Sequence, residues 1–222
     1  MDQEWKKVAA AVGRFFAYAL LAAFPVWVLR QDLLVLGNTV GERSMVEACQ
    51  LALLASSVMA FAVLAWRRLD DRRFAGLAAL FFATMLVREN DAVLDALLFH
   101  GAWKYLAGPL AVAGLVWAMG DARALFSGLA RFVASHAGTV MLLGLVILLC
   151  FSRLFGMTEI WTTVLGEGYV RTAKNAIEET GELLGYTFIL AASLRYLAQR
   201  VRAQVREVRG LGKAQLSGRQ SL

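Results

Sequence analysis

Six apolar runs, each about as long as a bilayer is thick, constrain this chain more than any other feature. They are Val8 to Leu29, Met45 to Trp66, Phe74 to about Phe99, Ala102 to Met119, about Val133 to Phe155, and about Ile177 to Leu197. A helix of roughly 20 apolar residues covers a hydrocarbon core about 30 Å thick, and short polar segments separate the runs. A β-barrel needs segments of alternating polarity, which the runs lack. With 59% hydrophobic and 18% charged residues, the chain carries more apolar surface than a soluble domain can cover. The expected fold is all-α, a polytopic transmembrane helical bundle of about six spans. Residues 1–200 are expected to form one transmembrane domain and 201–222 a basic cytoplasmic tail.

Orientation follows from lysine and arginine, which are retained on the cytoplasmic side. Lys6, Lys7 and Arg14 lead the first run, and Arg67, Arg68, Arg72 and Arg73 crowd the second junction. Arg123 and Arg131 follow the fourth run, and seven basic residues from Arg195 to Arg219 fill the tail. Six spans place 16 of the 23 basic residues on one face, predicting that both termini are cytoplasmic. The same asymmetry accounts for a pI near 9.7 without nucleic acid as a partner. Arginine outnumbers lysine 18 to 5, a bias of GC-rich bacterial genomes, so the expected location is a bacterial inner membrane. The bilayer is the expected partner, with a second copy or another membrane protein as further candidates. The tail, with Leu197, Val201, Val205 and Val208 at helical spacing, is expected to prolong the last helix along or beyond the anionic inner leaflet.

The first run follows Lys6 and Lys7 as a signal sequence would. It exceeds a typical signal core and lacks a small-residue cleavage site, so it is expected to stay as an anchor. Cys49 and Cys150 lie within apolar runs and are expected to be reduced. Pro25 and Pro109 are expected to kink spans one and four.

Charge near the outer ends of the runs is the feature that points to function. The third run is uninterrupted only from Phe74 to Val87, about 21 Å of helix. To cross, it must continue through Arg88, Glu89, Asn90, Asp91 and Asp95, of which Arg88, Asp91 and Asp95 share one stripe of a continuous helix. The last run is short in the same way and needs Glu178, Glu179, Thr180, Gly181 and Glu182. If that helix starts earlier, Arg171, Lys174, Asn175, Glu178 and Glu182 share a face. Gly181 and Gly185 form a small-xxx-small pair that lets another helix approach beside Glu182. Glu47 and Gln50 lie just inside the second run, and His100, Trp103 and Lys104 fall between the third and fourth. A further segment, Gly156 to Asn175, has the apolar spacing of an interfacial amphipathic helix.

Ionisable groups cost roughly 2.5 to 3.5 kcal/mol each to insert at a helix centre, so they are expected to converge near the outer face rather than meet lipid. Converging carboxylates repel one another, and protons, basic side chains or a cation must balance them. One histidine among oxygen ligands suits Mg²⁺, Ca²⁺ or Mn²⁺ better than zinc, because His136 lies at the inner end. Three functions remain open. One is an enzyme acting at the outer leaflet on a lipid-like or lipid-linked substrate, with Asp91, Asp95, Glu178, Glu182 and His100 as catalytic candidates. Its substrate-binding candidates are Glu47, Gln50, Arg88, Lys104 and Arg171. The second is a proton- or cation-coupled carrier, although no internal repeat relates the two halves. The third is a non-catalytic assembly or sensor subunit.

Overall fold

The computed structural model describes residues 2–37 and 44–219, with side chains described for 3–37 and 44–207. Among these residues the structure is entirely helical and free of strand. The helices are α1 (Asp2–Leu34), α2 (Met45–Arg67), α3 (Arg72–Glu89), α4 (Asp91–Leu97), α5 (Ala102–Met119) and α6 (Ala122–Val133). They are followed by α7 (His136–Val146), a π-helical turn (Ile147–Phe151), α8 (Ser152–Phe155), α9 (Thr158–Leu165) and α10 (Arg171–Arg219).

Among the described residues, three helical segments are long and apolar enough to cross a membrane: Gln3–Leu34, Met45–Arg67 and His136–Phe155. A fourth is added if α5 and α6, bent by 101°, count as one broken span. The chain thus has the character of a membrane protein, and its exposed Phe15, Leu20, Trp27, Val112 and Leu142 side chains suit a lipid environment. Helix α3 carries Arg72 and Arg73 at one end and Arg88 and Glu89 at the other, so it is less apolar throughout than these.

The chain divides into two compact units. The first comprises Met1–Leu54 and Val140–Leu190. Its core joins Val28, Val46 and Leu183, with Phe24, Leu29 and Cys49 packed around them. Asp32 is fully buried here, and its carboxylate accepts from the Met45 and Val46 backbone amides, both at 2.8 Å. These two amides open α2 and have no intrahelical acceptor, so a carboxylate from α1 satisfies them and complements the positive helix end. Ser44 adds a cap, accepting from the Glu47 amide at 3.1 Å. Cys49 and Cys150 are both free thiols.

The second unit comprises Ala55–Thr139 and Ala191–Leu222. Helix α3 packs along α5, where Gly76 lies against Trp117 and Gly114 against Leu80. The buried rings of Phe61, Phe74, Phe132 and Tyr196 form its aromatic core. Phe132 is edge-on to Tyr196 at 4.8 Å and tilted on Phe74 at 4.9 Å, within the range that favours aromatic pairs.

Several elements differ from the sequence expectation. The third run is not one helix, because Asn90 separates α3 from α4. The Asn90 amide donates to the Leu86 carbonyl at 2.8 Å, and Asp91 accepts from the Ala92 amide. Short polar side chains that bond the local backbone compete with the helical ladder. Residues between the fourth and fifth runs, expected as a loop, instead form α6. Asp121 caps it by accepting from the Ala124 amide at 3.0 Å, and Leu125 and Phe132 are buried on one face. The segment expected as one amphipathic helix from Gly156 to Asn175 is instead divided into α9, a 3-10 turn over Gly166–Gly168 and the start of α10, which stays helical into the basic tail. Against the six spans expected, three or four of the described segments are long and apolar enough to cross.

Candidate functional site

The first unit gathers one group of sequence-selected residues around the start of α10. Glu182 is only 5% exposed, and Arg153 of α8 reaches it at 2.9 Å. The same guanidinium approaches Glu178 at 3.5 Å, while Lys174 pairs with the other Glu178 oxygen at 2.7 Å. Lys174 and Glu178 are one turn apart, the spacing at which helical side chains meet. Two cations therefore face two carboxylates. The Gln50 amide, buried in α2, donates to the Glu179 carbonyl at 3.1 Å and to its carboxylate at 3.0 Å. Glu47 is half-buried in the first turn of α2, and Arg171 is exposed at the first residue of α10.

Close helix approach positions Arg153 against Glu182. A Cβ built on Gly181 would lie 3.3 Å from the Ser152 Cβ, and one on Gly185 would lie 2.8 Å from the Leu148 Cβ. The small-residue pair therefore faces the segment that carries Arg153. A π-helical turn, Ile147–Phe151, lies immediately before Ser152 in that segment.

The second unit holds the other group. Asp95 of α4 contacts the His100 Nδ1 at 2.7 Å, and its second oxygen accepts from the Gly101 amide at 2.9 Å. Gly101 has φ 83°, the left-handed conformation that glycine adopts without steric cost, and this turns the chain into α5. The His100 side chain is almost wholly exposed, and its Nδ1 is engaged by the carboxylate. Lys104 lies over the Trp103 ring, 5.7 Å from its centroid. Arg88 pairs with its neighbour Glu89 at 3.3 Å rather than with Asp91, which is exposed. Because α3 ends before Asp91, the continuous stripe expected for Arg88, Asp91 and Asp95 does not form. Among the described residues, no group of three or more His, Cys, Asp or Glu is arranged to hold a metal ion.

The densest charge network had not been singled out from sequence as a site. At the junction of α2 and α3, Arg68 grips Asp70 through two hydrogen bonds of 2.9 Å and reaches Glu207 at 2.8 Å. Asp71 is fully buried, accepts from the Arg131 Nη2 at 2.9 Å, and pairs with Arg200. Arg200 also pairs with Asp70, and Arg131 donates to the Asp70 carbonyl at 2.6 Å and to Ser127 Oγ at 2.7 Å. Three guanidiniums thus balance three carboxylates. Hydrogen bonds to Asp70 and then Glu207 raise the Arg68 pKa above its ordinary value. Burial pushes the Asp70 carboxyl up, but the Arg68 hydrogen bond and the Arg200 charge outweigh it and hold the group below the usual range. The sequence signal was the Asp70–Asp71 pair inside an arginine cluster, which positive-inside counting treats only as topology.

The class that fold and composition define is an all-helical membrane protein. No protein family, curated protein or solved structure compared with the chain matches it.

Proposed function

We propose that this is a six-span protein of a bacterial inner membrane, with both termini in the cytoplasm, that serves as a non-catalytic assembly or sensor subunit. The observation supporting that role is the pairing of Glu182 with Arg153, beside Glu178 held by Lys174 and Arg153. Carboxylates balanced by the protein's own cations need no bound cation, and such a network ties α8 to the start of α10. The 16-to-7 division of basic residues supports the orientation.

Glu182→Gln tests the role. As a structural carboxylate, it should cost stability when neutralised, because Arg153 loses its most buried partner. Expected outcomes are a lower melting temperature in detergent and a deletion-like phenotype only where the variant fails to accumulate. Normal melting and accumulation with complete loss of the phenotype would overturn the subunit reading. Orientation is tested separately with Leu69→Cys in a background lacking Cys49 and Cys150. Leu69 is 72% exposed, and the new thiol should resist an impermeant reagent in intact cells. Labelling from outside would reverse the topology.

A second reading, an enzyme acting on lipid-like substrates at the outer leaflet, draws support from the Asp95–His100 contact. A carboxylate that engages Nδ1 orients an imidazole whose Nε2 then acts as a general base. Loss of function in both His100→Gln and Asp95→Asn, at wild-type stability, would favour this reading over the first.

A further inference from the structure

A cavity of about 720 Å³ lies along the face of α10 that carries Arg195, Gln199, Arg202 and Arg206, with His136 and two alanines completing its lining. The four α10 residues follow i, i+4, i+7, i+11 spacing and form one helical stripe. Nearby basic residues of the same unit are paired: Arg68 with Asp70 and Glu207, Arg131 with Asp71, and Arg200 with both aspartates. Arg195, Arg202 and Arg206, by contrast, have no ion pair among the described residues, and no carboxylate lines the cavity. Arg202 and Arg206 stand one turn apart, a spacing at which like charges repel. Ala198 and Ala203 project little, which leaves room above the helix surface. His136 is the first residue of the eleven-residue helix α7, whose positive end adds to the field.

We propose that this cavity binds a phosphate group. The planar guanidinium fork matches phosphate oxygens in pairs, so the three arginines supply directed donors as well as charge. The Gln199 amide and His136 imidazole are further donors. An anion there relieves the repulsion along the arginine stripe, which no ion pair among the described residues offsets. The phosphate could come from an inner-leaflet lipid headgroup or from a soluble phosphate compound. The binding chemistry rests on the cavity alone, and only the assignment to the inner leaflet rests on the proposed topology.

The test uses the full chain in nanodiscs of phosphatidylcholine, alone or with phosphatidic acid, and in the first case with or without added inorganic phosphate. Melting temperature and retained lipid, read by native mass spectrometry, are compared for the wild type, Arg202→Gln, Arg202→Lys and Arg123→Gln. Arg123 is exposed on α6 and controls for charge loss outside the cavity. Phosphatidic acid, inorganic phosphate or both should raise the melting temperature of the wild type. Arg202→Gln should weaken that response at least about tenfold in apparent affinity, the loss of one charge-assisted contact. Arg202→Lys should weaken it less, and Arg123→Gln should leave it unchanged. Stabilisation by phosphatidic acid but not by inorganic phosphate assigns the phosphate to a headgroup, whereas stabilisation by inorganic phosphate in phosphatidylcholine alone assigns it to a soluble compound. Failure of both ligands to stabilise the wild type, or equal weakening by Arg202→Gln and Arg123→Gln, would overturn the site. Asymmetric proteoliposomes carrying phosphatidic acid only in the outer leaflet then separate the two proposals. Stabilisation there would leave the site standing and overturn the orientation.

Discussion

Gly144 and Gly185 approach so closely that a Cβ built on either would lie 3.0 Å from the other's carbonyl oxygen. Backbone contact of this kind between α7 and α10 is open only to glycine, and it brings Arg153, farther along the same segment, to Glu182. Gly185→Ala should therefore be destabilising by about 1–3 kcal/mol, because the new methyl meets the Leu148 side chain and Gly144 backbone and has no room to shift. Gly181→Ala should be close to neutral. Its nearest neighbour would be 3.3 Å away, and the higher helix propensity of alanine offsets a small adjustment. Melting of the two variants in detergent checks the contrast, and equal losses would refute the close-crossing account.

Asp71 carries a larger load. Its buried carboxylate holds Arg131 and Arg200, so Asp71→Asn takes the anionic partner from Arg131 and leaves Arg200 with Asp70 alone. Breaking a buried pair costs roughly 3–5 kcal/mol, and the lower end is expected here because Arg131 is about a third exposed. Arg123→Gln, at an exposed position on the same helix as Arg131, should change stability by no more than about 0.5 kcal/mol. Chemical denaturation of both variants gives the comparison, and a mild effect of Asp71→Asn would make the network peripheral.

How far the fold was legible depended on whether the cause was local. Helix α5 runs from Ala102 to Met119 as its apolar run does, and α2 ends one residue past the expected Trp66. Gly181 and Gly185 also announced a close crossing through their spacing, although not which helix would meet them. The break at Asn90 was harder to see, since the need to cross a membrane argued for continuity while local side-chain bonding argued against it. Helix α6 was obscured because Arg123 and Arg131 were read as markers of orientation and not as the polar side of an amphipathic helix. The Asp71 network lay beyond local reading altogether. Arg131 and Arg200 are 60 and 129 positions away, and only the fold brings their charges to one carboxylate. The functional candidates show the same division, for Lys174–Glu178 follows from helical spacing whereas Arg153–Glu182 requires two packed segments.

Tyr196 offers a change in the opposite direction. Its ring packs edge-on against Phe74 and Phe132, and its buried hydroxyl has no hydrogen-bond partner among the described residues. A buried polar group without a partner costs about 1–3 kcal/mol, while the ring itself packs well. Tyr196→Phe should therefore keep the aromatic contacts and raise the melting temperature, or at least leave it unchanged. A marked destabilisation would show that the hydroxyl makes a bond essential to the unit.

The last prediction concerns acid. In the folded protein the Asp70 carboxyl is held below its ordinary value of 3.8: burial alone would raise it, but the Arg68 hydrogen bond and the Arg200 charge prevail. A group whose pKa is lower in the folded state binds fewer protons there than in the unfolded chain. Its stabilising contribution is therefore fully present above the unfolded value, near pH 4, and is lost as pH falls through the folded value. The Asp70 side chain is 45% exposed, so water and salt screen the pair and the effect should be modest. Melting temperature followed from pH 6 downward in detergent should fall below about pH 4. Asp70→Asn should start from a lower stability and show a shallower decline over that acid range, because the variant no longer loses this carboxylate's contribution. Parallel curves for the two proteins below pH 4 would mean that Asp70 plays no part in the acid response, and that Arg68 is held by Glu207 alone.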